Sequence, residues 1–173
     1  KGFFEPEVVP RSVSAEIVLG EPLIKNTTLE SGWSGVVNAE RTRIELAIRK
    51  GIAAGSSESS IIVDVQKTFG LTRVQASGLV VTATTSVYAQ ADHAVYKANE
   101  KLLRGWQYVA VLDSRTTPLC AHRDGTVYPI SDTSHLPPAH WHCRSTTIPV
   151  VKRWDDLGQL DNVRAARIRN TAE

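Results

Sequence analysis

Thr72-Arg73-Val74-Gln75-Ala76-Ser77-Gly78-Leu79-Val80-Val81-Thr82-Ala83-Thr84-Thr85-Ser86-Val87 opens the longest periodic segment of the chain. Thr72 followed three residues later by Gln75 is the pattern of a capping box, in which each side chain satisfies a free amide of the other residue. Apolar residues then recur at Ala76, Leu79, Val80, Ala83, Val87, Ala91, Ala94 and Val95, and this 3-and-4 rhythm predicts an amphipathic helix of about six turns. Its β-branched residues Val80, Val81, Thr82, Thr84 and Thr85 are indifferent helix formers. Packing on neighbouring helices, rather than propensity, must therefore hold it.

Such neighbours are legible upstream. Ile44, Ala47, Ile48 and Ile52 recur among charged Glu40, Arg41, Arg43, Glu45, Arg49 and Lys50, the spacing of an amphipathic helix that Gly51 and Gly55 end. Ser56 or Ser57 caps a shorter helix with the stripe Ile61, Ile62, Val65 and Phe69, and Gly70 supplies a left-handed stop. Before Val37 the mixture of Pro6, Pro10, Pro22, Gly20, Gly32 and Gly35 with one β-branched run, Ile17-Val18-Leu19, carries no helical period and predicts an extended arm.

Downstream the pattern changes at Gly105. Trp106-Gln107-Tyr108-Val109-Ala110-Val111-Leu112 is aromatic and β-branched and predicts a strand. Asp124-Gly125 predicts a tight turn between short strands, with Thr126-Val127-Tyr128 as the second. Pro137-Pro138 favours an extended segment, and Thr146-Thr147-Ile148-Pro149-Val150-Val151 predicts a last strand, on an edge because Pro149 has no N–H to donate. The expected fold class is α+β: an extended N-terminal arm over residues 1–35, a bundle of about three helices over 36–104, a small β-rich Cys/His module over 105–151, and a charged tail over 152–173.

Composition narrows the function classes. The chain has 173 residues, 42% hydrophobic and 22% charged, enough to bury a core and ordinary for a soluble protein. No apolar run is long enough to cross a bilayer and the first residues lack a secretory apolar stretch, so an unexported protein without a membrane partner is expected. Because the first residue is Lys1 and not Met, trimming or processing upstream of it is also expected. A net charge of +2 is small for a protein that grips duplex DNA over a broad face.

Chemistry concentrates in one window. Both cysteines, Cys120 and Cys143, and four of the five histidines, His122, His135, His140 and His142, fall between residues 120 and 143. Zinc favours thiolate and imidazole donors supplied as two close pairs, and Cys120-x-His122 with His140-x-x-Cys143 provides such pairs. The first pair is tight, so His142 or Asp124 could replace His122 as fourth ligand. In the competing reading the cysteines are small buried hydrophobes, or pair with each other, and the histidines are exposed. A third account needs no metal: Asp113, Arg115, Asp124 and Arg144 form a charge-assisted network that locks the loops.

The run Asp113-Ser114-Arg115-Thr116-Thr117-Pro118-Leu119-Cys120, then Asp124-Gly125-Thr126-Val127-Tyr128-Pro129, then Pro137-Pro138-Ala139-His140-Trp141-His142-Cys143-Arg144-Ser145-Thr146-Thr147-Ile148-Pro149-Val150 resembles the C-terminal signature of the Mu-F-like minor head proteins of tailed phages. The helices upstream, with Thr82, Ala91 and Tyr96, are similar too, so the resemblance covers roughly residues 36–151. It implies a structural virion protein acting in head morphogenesis near the portal vertex, with the portal or major capsid protein as partner and, in some relatives, a part in packaging or delivering double-stranded DNA. Many such relatives carry further cysteines where this chain has Thr117 and Ser145. The resemblance thus leaves Cys120, His140 and Cys143 as the matching ligands of a structural zinc ion, with His122 added from spacing alone.

On these grounds no catalytic residue and no small-molecule substrate are expected. A metal-dependent nuclease with His142 as base is the first rival, but the segment Trp154 to Arg169 offers Asn162 and no second ligand histidine. A toxin or processing enzyme joined to a head module is the second, and nothing after Val151 is long enough to form one. Trp154 is the expected partner contact, and Arg164, Arg167 and Arg169 form a small basic patch that passing DNA would tolerate.

Overall fold

A computed structural model describes residues 38–153. The extended arm expected over residues 1–35 and the tail from Trp154 onward lie outside the described residues.

Three helices follow one another. Helix α1 spans Asn38–Ala53 and α2 spans Glu58–Phe69. Ser57 caps α2 by accepting the Ser60 amide, and Gly70 closes it at φ 64°, a left-handed conformation that costs glycine least. Helix α3, Arg73–Ala98, begins with the full reciprocal capping box: Gln75 N–H donates to Thr72 Oγ1 and Thr72 N–H donates to Gln75 Oε1. Ile44, Ile48, Ile61, Val65, Leu79, Val80 and Val87 form one core where the three helices meet. Each such aliphatic side chain contributes about 1.5–3 kcal/mol by leaving water, which answers how a helix rich in β-branched residues persists.

One position departs from the apolar rhythm. Val95 is exposed and Tyr96 takes the inward place. By that point α3 has run past the first core, and its inward face meets a second core made by Tyr96, Leu103, Trp106, Tyr108, Cys120 and Cys143. A single helix thus serves both cores.

The second core is roofed by a three-stranded antiparallel sheet in the order β2-β1-β3, with β1 at Leu103–Val109, β2 at Val127–Tyr128 and β3 at Thr146–Val151. The last strand lies on an edge, opposite β1 from Leu103↔Val151 to Val109↔Thr146. Strand β1 starts and ends earlier than expected from Trp106–Leu112. Its ladder is released at Ala110, whose N–H donates instead to Asp124 Oδ1 at 2.8 Å, and the Val111 carbonyl is taken by Thr116 Oγ1 at 2.5 Å. Gly105 lies inside the strand because the backbone of Tyr128 approaches so closely that a Cβ there would stand 2.3 Å from its carbonyl oxygen.

The Asp124-Gly125 turn exists, with Gly125 at φ 76°, but it does not join two strands directly. A short helix, α4 at Pro118–Arg123, precedes it, and Asp124 is that helix's C-cap. Thr117 as N-cap and Pro118 in the first turn are the signal for α4 that a reading centred on the turn passes over. The Pro137-Pro138 bond is cis.

Candidate metal centre and clasp

The loop from Pro137 to Ser145 is pinned to α3 from both sides. The His142 N–H donates to Thr82 Oγ1 at 3.0 Å, Thr85 Oγ1 donates to the Cys143 carbonyl at 2.9 Å, and Tyr96 Oη donates to the Thr147 carbonyl at 3.1 Å. The hydroxyls that make α3 a poor helix by propensity are thus its attachment points. Trp141 lies over Gly78, where an added Cβ would be 2.4 Å from the indole Nε1, so the helix admits the ring only because that position has no side chain.

Within this clasp Cys120 on α4 and Cys143 on the loop are buried free thiols, their sulfurs 3.8 Å apart. His140 Nε2 is 3.1 Å from Cys120 Sγ. His140 Nδ1 is 2.7 Å from the Trp141 carbonyl, which can only accept, so the proton sits on Nδ1 and the Nε2 lone pair faces the sulfur. Such a fixed tautomer is the usual preparation of a metal-ligating imidazole. The donor atoms of Cys120, His140 and Cys143 all lie within 4.8 Å of one another, close enough to hold one ion.

Electrostatics favour thiolate here. Burial raises the Cys143 thiol, but hydrogen bonds from the Ala139 and Ser145 backbone, the Ser145 side chain and Tyr108 outweigh it and leave its pKa below the ordinary value. The Tyr108 hydroxyl, 3.2 Å from Cys120 Sγ and 3.8 Å from Cys143 Sγ, is itself held well above the usual phenol range by burial and by its bond to Cys120. It stays a donor toward sulfur.

The other expected ligands fall elsewhere. His122 is exposed on α4 and is not part of the cluster, because at two residues from Cys120 it points away from the buried side of that helix. Asp124 serves the Ala110 amide. His135 is 2.7 Å from Asp132 and stacks on Tyr128 at 4.4 Å, which in turn stacks on Trp106 at 4.8 Å. His142 lines a small depression together with Cys120, His140, Thr117, Arg144 and Ser145. That depression encloses about 20 Å³, room for a water-sized occupant.

The charged network is narrower than the four residues named from sequence. Arg144 grips Asp113 with both guanidinium nitrogens at 2.7 and 2.8 Å, a planar fork that fastens the clasp to the loop after β1. This contact, the Arg115 amide and the Arg115 guanidinium at 3.6 Å hold the Asp113 carboxyl well below the usual carboxylate range. Asp124 stands apart from it, engaged as the C-cap described above.

The family model described as phage Mu protein F like protein matches residues 42–148, well over half of the chain and the whole of the clasp. The chain belongs to the phage Mu F-like family. A curated relative, "Putative capsid assembly protein F" of Escherichia phage Mu, is 36% identical over 94 residues, which is 52% of this chain and 21% of the relative. The Mu F-like chain thus spans about a fifth of the length of that protein. No solved structure matches it. The matched span of the Mu F-like chain ends within β3 and takes in every residue of the sulfur and imidazole cluster. None of its described helices is long and apolar enough to cross a membrane.

Proposed function

We propose that the chain is a structural component of a tailed-phage head, acting in head morphogenesis near the portal vertex and serving no catalytic turnover. The observation that carries this reading is the family membership over residues 42–148, joined to a clasp whose signature residues hold the chain to itself. Among the described residues, the depression beside the cysteines is small, with room for a water-sized occupant. In this reading the portal protein, the major capsid protein, or both are the partners, and packaged double-stranded DNA is a neighbour. The Cys120, His140 and Cys143 cluster holds a structural zinc ion, which closes a small β-rich module whose own apolar core is modest.

The test is co-expression of the chain with the portal and major capsid proteins of its phage, followed by isolation of heads and quantitative mass spectrometry. The chain should be recovered in purified heads at a few copies against the major capsid protein. Its recovery solely as free protein would overturn the reading. Cleavage of plasmid DNA by the chain with added divalent metals, abolished by His142→Ala, would replace it with the nuclease alternative.

A further inference from the structure

Three donors leave one corner of a tetrahedron to be filled, and the geometry shows which side it faces. Cys143 is fully buried, whereas Cys120 and His140 both border the small depression, so the open corner points into it. The remaining lining is Val111, Arg115, Thr116, Thr117, Arg144, Ser145 and His142. Guanidinium groups have no lone pair to offer and neutral hydroxyls are weak donors toward zinc, which leaves the imidazole of His142 as the one strong donor there. We propose that His142 is the fourth ligand, completing a Cys120, His140, His142, Cys143 centre. The proposal rests on the reading that this cluster binds a metal.

Two further observations support it. Tetrahedral zinc with bonds of about 2.3 Å to sulfur sets two thiolates about 3.8 Å apart, and Cys120 and Cys143 already stand at 3.8 Å. An ion can enter without either backbone moving; the Cys120 to His140 edge, 3.1 Å, has only to open by about 0.4 Å. Second, His142 adopts φ 58°, uncommon for a residue other than glycine. That left-handed step reverses the chain between His140 and Cys143, so that residues 140, 142 and 143 can converge on one point. The Thr82 bond to its N–H holds the backbone there, and the ring, which already borders the depression edge-on to Trp141 but lies outside the cluster of the other three donors, reaches the ion by turning about its side-chain bonds.

Closure by His142 also balances charge. Two thiolates and two neutral imidazoles around a divalent cation give a neutral centre, which the buried surroundings of Cys120 and Cys143 accommodate at less cost than a charged one.

The test uses the full chain, reduced and metal-free, titrated with Co²⁺ and then displaced with Zn²⁺. One equivalent of Co²⁺ should give the strong visible bands of a tetrahedral ion, and X-ray absorption of the zinc form should fit two sulfurs and two imidazole nitrogens. His142→Asn, chosen because asparagine tolerates the left-handed backbone, should fold with unchanged circular dichroism and lose zinc affinity by roughly 100-fold. His122→Ala should bind as the parent does. His142→Cys should restore tight binding with an added sulfur-to-cobalt charge-transfer band. Unchanged affinity in His142→Asn, or one imidazole in the absorption fit, overturns the assignment of His142 while leaving the three-ligand site in place. Absence of metal uptake by the parent chain overturns the site as a whole, and recovery of the chain in heads still reports independently on its structural role.

Discussion

Gly78 and Trp141 offer a measurement of how firmly the clasp is seated on α3. In Gly78→Ala the new methyl carbon would lie 2.4, 2.6 and 2.7 Å from three atoms of the indole, all inside contact distance, so the ring has to leave its seat. Forcing a methyl group into such a packed contact costs about 1–3 kcal/mol. Alanine also favours a helix interior over glycine by about 1 kcal/mol, and the two effects oppose each other. The clash prevails, and the single variant should be less stable by about 1 kcal/mol. With Trp141→Ala the clash disappears and only propensity remains, so Gly78→Ala should then stabilise the protein by about 1 kcal/mol. Urea denaturation of the four proteins of this cycle gives the coupling directly, expected at about 2 kcal/mol. The reversal of sign is the diagnostic. If Gly78→Ala has the same sign in both backgrounds, Trp141 does not rest on α3 as described.

Other outcomes follow from the same contacts. Tyr96→Phe removes the buried hydroxyl that reaches Thr147 from α3 and should cost about 1–2 kcal/mol by chemical denaturation, with loss of protection at β3 in hydrogen exchange. Gly70→Ala meets no neighbouring atom, so its destabilisation, about 1 kcal/mol in thermal unfolding, reports the left-handed φ alone. Asp113 has a folded pKa held below its unfolded value near 4, so its contribution is complete above about pH 4 and is lost as pH falls through the depressed folded value. Stability measured between pH 6 and 2 should therefore drop with acid in the parent chain and drop less in Asp113→Asn.

Much of the helical half was legible because its signals are local. The Thr72 capping box, the Ser57 cap and the Gly70 stop each depend on residues within one turn of the helix they bound, and the apolar stripes through Ile44, Ile61 and Ala76 fixed the buried faces. Where a long helix crosses from one core to another, periodicity alone failed: Val95 continues the stripe in sequence, yet Tyr96 meets the second core. The end of β1 was missed for a similar reason, since a side chain fourteen residues away from Ala110 in the chain, on Asp124, decides where the ladder stops. At the candidate site the grouping of Cys120, His140 and Cys143 was legible, whereas the place of His122 was not. His122 and Asp124 were candidates by their nearness to Cys120 in the chain, but α4, signalled only by Thr117-Pro118, turns His122 outward and makes Asp124 a cap. No spacing rule could have found the Tyr108 hydroxyl beside the sulfurs, because it arrives from β1 while the cysteines sit on α4 and on the loop before β3.

The outermost strand has a consequence for life at high local concentration. Sheets with an unprotected border invite their own copies to dock strand to strand, and proteins gathered in number on one surface are the most exposed to that hazard. Here β2 and β3 are the border strands; β2 has only two residues, and in β3 Pro149 interrupts the row of amide donors about midway. A visiting strand finds a broken row, which disfavours docking of another strand along β3.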